Sequence, residues 1–212
     1  MVLLGCETPA PAPSVDATVV AERSTVTEEP AGFQNGDLIF HTSMSSQSKA
    51  IQLATGSRYS HVGLLYQEED GSWCVYEAIA TIRCTDLEAW IARGEDQHYV
   101  VKRLRDAKQL LTKERLLAMR QAGESYLGTP YDIKFKWDND RFYCSELVWK
   151  LYKDAVGIEL SPLATVESMA LNNPVVQQKL KERYGVAIPL KETVVAPGAL
   201  FDSEHLITVS QH

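Results

Sequence analysis

The sequence lacks two features, either of which would indicate a broad functional class. No stretch approaches the roughly 18 consecutive apolar residues that a membrane-spanning helix needs, and no run of basic residues occurs. Lysine and arginine together number 21 against 28 for aspartate and glutamate, which gives a net charge of −7. This charge argues against nucleic-acid binding, because neutralisation of phosphates supplies most of the sequence-independent affinity of such proteins.

Cysteine is also scarce, since the 212 residues contain only four, and this excludes a small disulfide-stapled scaffold. Their spacings match no zinc-binding pattern, no histidine has a partner pattern typical of a metal ligand, and no motif for an organic cofactor is present. Hydrophobic residues make up 45% of the chain and charged residues 23%, which is enough apolar material for a packed core. The length predicts one domain of ordinary size, with or without a tail.

Residues 1–32 differ in composition from the rest and predict a disordered linker. Residues 7–14 are rich in proline and alanine, which favour an extended spacer. The preceding Leu-Leu-Gly-Cys, which ends at Cys6, resembles the lipobox of bacterial lipoproteins. Because a working signal needs an apolar region of about 7–15 residues, either the natural start lies upstream or the likeness is accidental. Since lipobox and spacer occur together, we expect a truncated lipoprotein signal, membrane attachment through lipidated Cys6 and a location in the bacterial cell envelope.

Export would also affect Cys74 and Cys84, because a disulfide between them forms only in an oxidising compartment. We expect instead two buried thiols that pack as small hydrophobic side chains.

Residues 33–212 carry strand and helix signals in mixed order. Apolar runs predict strands at 38–40, 61–66, 73–79 and 99–104, with further candidates at 186–190 and 193–195. Apolar residues at helical spacing predict helices within 43–54 and 112–127, from about 143 to 156, and over 173–184. Residues 203–209 carry no signal that assigns them to a strand or a helix. Because strands and helices do not alternate strictly, the sequence predicts a single α+β domain.

Cys144 lies at the start of a predicted helix and is a candidate nucleophile. It precedes Leu147 and Val148 by three and four residues, so it shares the buried face of that helix. In the first turn, unpaired N–H groups and the helix dipole stabilise a thiolate and could hold an oxyanion on a substrate carbonyl. This segment alone leaves open the alternative of a structural cysteine at a helix start.

A nucleophilic cysteine needs a base, and the base needs a third group that orients it. His61 and Glu77, on neighbouring predicted strands, are candidates for these roles. Residues on one face of an antiparallel pair keep the same parity. The two side chains therefore share a face only if the hairpin loop has an odd number of residues, such as 69–71, which sets His61 opposite Ile79 and diagonal to Glu77. A two-residue turn at 70–71 would put Glu77 on the other face, and the sequence leaves both registers open.

Five short segments, in this order along the chain, resemble the YiiX/YaeF family of permuted papain-like amidases, within the NlpC-type superfamily of cysteine hydrolases. They are Gly-Asp-Leu-Ile-Phe at 36–40, Tyr-Ser-His-Val-Gly at 59–63, Tyr-Glu-Ala at 76–78, Tyr-Asp at 131–132 and Tyr-Cys-Ser-Glu-Leu-Val at 143–148. The resemblance covers residues 33 to 209 and implies a permuted papain-like hydrolase domain over 33–212. It implies an antiparallel sheet packed against the helix that carries the cysteine, with the His-bearing strands ahead of that helix.

The resemblance also implies roles for individual residues. Cys144 would be the nucleophile, His61 the general base and then the general acid, and Glu77 the group that orients His61. The backbone N–H of Cys144 would donate to the oxyanion, and the sequence identifies no second donor. The residues expected around the substrate are Tyr143, Ser145, Glu146 and Tyr59. Glu146 has an equally good explanation as a carboxylate that stabilises the helix start.

The implied activity is that of an amidase or peptidase that forms a thioester acyl-enzyme without a metal or organic cofactor. The implied substrates are cell-wall stem peptides or N-acyl amides, and the expected envelope location favours the peptides. One alternative is acyl transfer to an acceptor other than water, as in lecithin:retinol acyltransferase relatives. Those enzymes carry Asn-Cys-Glu-His around the cysteine and histidine where Glu77 stands. The other alternative is a module on the same fold that binds peptide or lipid without turnover.

Overall fold

A computed structural model describes residues 32–212 of the chain. The predicted linker and the predicted lipid anchor on Cys6 fall outside the described residues. None of the helices between residues 32 and 212 combines the length and the apolarity needed to cross a membrane.

Antiparallel strands form the central sheet. In chain order, its strands are β1 (Leu38–His41), β2 (His61–Gln67), β3 (Trp73–Ala78), β4 (Ile82–Asp86), β5 (Val100–Leu104) and β8 (Leu206–Gln211). Two short strands, β6 (Ala164–Thr165) and β7 (Thr193–Val194), pair with each other in a separate sheet. The order across the sheet is β4-β3-β2-β1-β5-β8. The three strands that contain motif residues of the family resemblance, β1 to β3, are therefore adjacent.

Helices pack on this sheet and lie in the segments that connect its strands. They are α1 (Ser48–Thr55), α2 (Leu87–Ile91), α3 (Ala107–Leu110), α4 (Lys113–Ser125), α5 (Cys144–Val156), α6 (Pro174–Tyr184) and α7 (Pro197–Phe201). Helix α5 packs on β2 and α4, and α1 packs on α6. Strands and helices in this mixed order agree with the predicted α+β class.

Both faces of the sheet are buried, and each has its own core. On one face, Leu64 and Tyr76 belong to the larger core, which includes Leu147 of α5. On the other face, Val75 belongs to a smaller cluster with the fully buried Trp90 of α2. This second face is the one that carries the odd-numbered residues of β2 and β3, because side chains alternate along a strand.

The β2–β3 hairpin adopts the register that the sequence left open. Leu64 pairs with Tyr76 and Gln67 with Trp73, so paired residue numbers sum to an even value. Glu68 N–H donates to the carbonyl of Ser72 at 2.8 Å and closes a three-residue loop. His61 and Glu77 therefore lie on the same face.

A buried ion pair fixes β1 against β5. Arg103 donates from Nε and Nη2 to the two oxygens of Asp37, each at 2.7 Å, and both side chains are buried. From the other side, the Tyr152 hydroxyl of α5 donates to the carbonyl of Gly36 at 2.5 Å. The ion pair therefore connects the start of β1 to β5, and the Tyr152 hydrogen bond attaches α5 at the same place. Loss of Asp37 or Arg103 would leave the other charge buried and uncompensated.

Most predicted elements are confirmed within a few residues, one predicted strand is wrong, and two strands of the central sheet have no counterpart among the predictions. The strand predicted at 186–190 is wrong, because this segment is an exposed connection after α6. Residues 206–211, which received no assignment, form the edge strand β8. Strand β4 also received no prediction, since Ile-Arg-Cys-Thr-Asp has no continuous apolar run.

The expectation that Cys74 and Cys84 are free thiols is wrong in this structure, which joins them in a disulfide. Their Cα atoms are 5.6 Å apart, within the range that a disulfide spans. The two residues come within reach because β3 pairs with β4, where Cys84 lies opposite Tyr76 and diagonal to Cys74. A disulfide persists in an oxidising compartment, and the envelope location itself stays a prediction.

Candidate active site

Cys144 is the first residue of α5 and is 4% exposed. Its neighbours fix this turn, because Val195 N–H donates to the Tyr143 hydroxyl at 3.1 Å and the Ser145 hydroxyl donates to the Val195 carbonyl at 2.8 Å. The N–H groups of a first helical turn have no acceptor inside the helix. The thiol therefore lies where backbone donors and the helix dipole stabilise negative charge.

His61 is the first residue of β2, and its side chain lies beside the Cys144 thiol. Its Nε2 is 2.7 Å from Oε2 of Glu77, as the diagonal register requires. This hydrogen bond leaves Nδ1 as the ring nitrogen that is free to face Cys144. The structure thus brings Cys144, His61 and Glu77 together in the order thiol, imidazole, carboxylate.

Glu77 is fully buried, and several donors keep it ionised. Its Oε1 accepts hydrogen bonds from the Thr85 hydroxyl and from Arg93 Nη2, each at 2.5 Å, and Arg83 lies 3.8 Å away. Burial alone would raise the pKa of Glu77. The hydrogen bond and charge of His61, together with Thr85 and Arg93, outweigh burial and lower the pKa to about 2.

The pKa of His61 moves in the opposite direction. Burial lowers it, but the adjacent Cys144 and the hydrogen-bonded Glu77 favour the imidazolium more strongly and raise the pKa to about 9. Positive His61 next to a sulfur that can become negative is the arrangement that activates a cysteine nucleophile.

Two aromatic rings pack against His61 and keep it in place. Trp90 stacks on His41 at 3.9 Å between ring centroids and lies 5.9 Å from the His61 ring. His41 is the cross-strand partner of His61 and is itself buried. Burial, followed by the charges of His61 and Arg93, lowers the pKa of His41 to about 2, so this second histidine stays neutral.

The close approach of β3 to β2 explains why a glycine, Gly63, follows His-Val in this strand. A Cβ at this position would lie 2.2 Å from Cγ1 of Val75 and 3.0 Å from the carbonyl oxygen of Tyr76. Any larger residue would push β3 away from β2. Such a displacement would separate Glu77 from His61.

A cleft opens beside Cys144. One wall is formed by α1, with Ile51 and Ala54, and another by α6, with Val176 and Leu180. Residues 194–197 and the aromatic side chains of Tyr131, Phe135 and Tyr143 complete it. Its lining is mostly apolar, and a cleft of this kind suits an apolar ligand of moderate size.

Tyr131 and Gln47 line the same cleft, and sequence reasoning assigned neither of them to the site. The Tyr131 hydroxyl accepts a hydrogen bond from Gln47 Nε2 at 3.1 Å. This bond leaves the phenolic proton free to be donated into the cleft. Burial, followed by the nearby Cys144, raises the pKa of Tyr131, so its hydroxyl keeps its proton at neutral pH.

The substrate-binding residues expected from the sequence separate into two pairs. Tyr143 and Ser145 line the cleft. Glu146 does not, because its carboxylate is buried against Lys150 Nζ at 2.8 Å and accepts from Tyr143 N–H at 3.4 Å. Burial raises the pKa of Glu146 to about 7, and its contacts are those of a carboxylate that stabilises the helix start. Tyr59 also lies outside the cleft lining and stacks on Phe201 at 4.1 Å.

Residues 32–210 match the sequence profile of the family described as "Permuted papain-like amidase enzyme, YaeF/YiiX, C92 family". The Escherichia coli (strain K12) protein described as "Uncharacterized protein YiiX" is 47% identical over 178 residues, which cover 84% of this chain and 86% of that protein. The crystal structure of the metalloprotein yiiX from Escherichia coli O157:H7 matches with a TM-score of 0.80 at 48% sequence identity, covering 84% of this chain and 97% of that chain. These matches confirm the permuted papain-like fold that the sequence motifs predicted.

Proposed function

This chain belongs to the YaeF/YiiX family of permuted papain-like amidases, and we propose that it hydrolyses amide bonds through a thioester on Cys144. The observation that carries the proposal is the contact of His61 with both Cys144 and Glu77, with a His61–Glu77 distance of 2.7 Å. A thiol, a base and a group that orients the base are the three parts that nucleophilic catalysis by cysteine needs.

The reaction divides into two steps. The Cys144 thiolate attacks the substrate carbonyl, and His61 gives its proton to the leaving amine as the C–N bond breaks. A thioester and a free amine result. His61 then takes a proton from water, the hydroxide attacks the thioester, and the acid product leaves as the thiol is restored. Throughout, Glu77 holds His61 through Nε2 and stabilises its positive form.

Two donors are available for the oxyanion that forms in both steps. One is the N–H of Cys144 in the first turn of α5, and we propose the hydroxyl of Tyr131 as the second. Gln47 holds the Tyr131 oxygen from the other side, which orients its proton.

Tyr131→Phe keeps the ring and removes only this hydroxyl. Because loss of one oxyanion donor costs about 10²- to 10³-fold in kcat, we expect a fall of about that size with little change in KM. The measurement is steady-state hydrolysis by the variant beside Tyr126→Phe. Tyr126 packs on Phe142 outside the cleft and serves as the matched control. A Tyr131→Phe enzyme as fast as the Tyr126→Phe enzyme would remove Tyr131 from the oxyanion site.

The cleft favours N-acyl amides over stem peptides as the substrate class. Its walls at Ile51, Ala54, Val176 and Leu180 can bury an acyl chain, and burial contributes about 0.8 kcal/mol for each methylene. A polar stem peptide would leave its amide groups unpaired against these walls, at a cost in free energy. We therefore propose hydrolysis of an amide with an apolar acyl group.

The test is detection of the acyl-enzyme. We would mix the protein with N-acyl anilides of increasing chain length and, in parallel, with a cell-wall stem peptide, and record intact and peptide masses. We expect the mass of the acyl group on the peptide that contains Cys144, its removal by hydroxylamine, and faster acylation with longer chains. Acylation by the stem peptide alone would overturn the substrate class, and binding of every ligand without acylation would support a non-catalytic module.

Acyl transfer is the second candidate function, and the same thioester serves both. Adding an amine or alcohol acceptor to the acylated protein separates the two. A free acid as the product supports hydrolysis, and an acylated acceptor at the expense of acid supports transfer.

The description of the Escherichia coli O157:H7 relative as a metalloprotein raises the question of a metal in this chain. Across residues 32–212, one group of metal-ligating side chains lies close together, namely Glu68, Cys74 and Cys84. Its two sulfur atoms are joined in a disulfide, whereas a metal binds the thiolate form of cysteine. The group therefore does not fit a metal in this state, and no step proposed here uses one.

A further inference from the structure

Arg183 is a cation on the wall of a mostly apolar cleft. It is the second-to-last residue of α6 and lines the same cavity as Cys144. Its Nη2 donates to Oε1 of Gln47 at 2.6 Å, and its guanidinium lies 4.1 Å from the centre of the Phe135 ring. Stacking on an aromatic ring and a hydrogen bond to a neutral amide fix the guanidinium without neutralising its charge.

No acidic side chain within residues 32–212 forms an ion pair with Arg183. Lys179, the other cation in the lining, is different because it pairs with Glu182 at 2.6 Å. A partly buried cation without a counter-charge is costly unless a ligand supplies one. The charge of Arg183 thus indicates an anionic group on whatever fills the cleft.

We propose that the substrate of this site carries a carboxylate that Arg183 binds, so that the substrate class is N-acyl amino acids rather than neutral acyl amides. The inference rests on the proposed amidase function and refines it. An arginine presents five N–H donors in a planar fork that matches a carboxylate, and the bond to Gln47 occupies one of its nitrogens. The apolar walls would hold the acyl chain while Arg183 selects the charged end.

Arg183 is also linked to the reacting atoms through two hydrogen bonds. Gln47 accepts from Arg183 through its oxygen and donates to the Tyr131 hydroxyl through its nitrogen. A carboxylate bound by Arg183 would therefore lie at the outer end of a hydrogen-bonded row that leads to Tyr131 and Cys144. This arrangement makes Arg183 a residue that determines specificity, separate from the groups that carry out the chemistry.

The test compares matched substrates that differ only in charge, an N-acyl amino acid and its C-terminal amide. A charge-assisted hydrogen bond is worth about ten- to hundredfold in binding, so the wild-type protein should prefer the acid by about that factor in kcat/KM. In Arg183→Gln the ratio should fall to near one, and Arg183→Lys should retain part of it. Lys181→Gln removes a positive charge from an exposed position of the same helix and should keep the wild-type ratio.

A binding measurement separates failure of this inference from failure of the amidase proposal. Titration calorimetry of the Cys144→Ala protein with the same two ligands needs no turnover. Preference for the acid that depends on Arg183 supports the inference even if no hydrolysis is found. Equal binding of acid and amide by the Cys144→Ala protein and by the Cys144→Ala, Arg183→Gln double variant, both with the same melting temperature, would overturn it. Tighter binding of an acyl phosphate than of the acid would overturn the choice of carboxylate.

Discussion

Cys144→Ala is expected to abolish amide hydrolysis, with a fall in kcat/KM of at least about 10⁴-fold, because in the proposed mechanism the replaced atom is the one that bonds to the substrate. Alanine leaves the helix start, His61 and the oxyanion donors in place. The effect should therefore appear in kcat, whereas binding of the acyl chain by the cleft should persist. The measurement is release of the amine from an N-acyl anilide that acylates the wild-type protein.

Two controls make this result specific. The melting temperature should change little, because the substitution removes a single sulfur atom at the edge of the cleft, where Cys144 is 4% exposed. The acyl adduct on the peptide around residue 144 should disappear together with activity. A folded Cys144→Ala protein that keeps more than about one hundredth of the activity would mean that another group performs the attack.

The helix that bears Cys144 and the two strands that bear His61 and Glu77 can be predicted from the sequence, because each is a long periodic or continuous apolar segment. It does not decide whether His61 and Glu77 meet. Odd and even hairpin loops both use the Asp-Gly pair at 70–71, and local turn preferences do not separate them. The register depends on tertiary packing, in which Gly63 allows β3 to approach and both faces of the hairpin are buried.

The partners of Glu77 illustrate a second limit. Thr85 and Arg93 hold its carboxylate. Thr85 lies in β4, whose sequence has no clear apolar alternation, and Arg93 follows α2. Had β4 been recognised, parity across the β3–β4 pair would have put Thr85 on the face of Glu77, since Glu77 lies opposite Arg83. The cleft is harder still to predict, because Gln47, Tyr131 and Arg183 come from distant segments and no spacing in the chain connects them.

Glu77 also determines how the site responds to pH. In the proposed mechanism, Cys144 reacts as a thiolate beside the imidazolium of His61, so activity should decline once His61 loses its proton. Since the pKa of His61 is raised to about 9, the alkaline limb of kcat/KM is expected near that pH. The carboxylate of Glu77 is one of the groups that raise this pKa, because a nearby negative charge favours the positive form of histidine.

Glu77→Gln is therefore expected to move the alkaline limb to lower pH and to lower kcat/KM by about 10²- to 10⁴-fold, as loss of the orienting carboxylate does in other triads. The measurement is kcat/KM against pH, together with the rate of iodoacetamide alkylation of Cys144 against pH. Glu68→Gln is the matched control, because it removes a carboxylate at the β2–β3 hairpin loop that pairs with Arg120 of α4 and does not contact His61. It should leave both profiles unchanged.

Glu77 is fully buried among two arginines, and its replacement leaves Arg93 without its carboxylate. Such a change can cost about 3–5 kcal/mol of unfolding free energy, so the profile must be read on folded protein. Thr85→Val gives a milder variant, because it removes one hydrogen bond to Glu77 and no charge. The carboxylate of Glu77 keeps its charge in this variant, so the alkaline limb should not move to lower pH. If the limb of the Glu77→Gln protein stays at the wild-type pH while the protein remains folded, Glu77 does not set the charge of His61, and its contact at 2.7 Å serves packing alone.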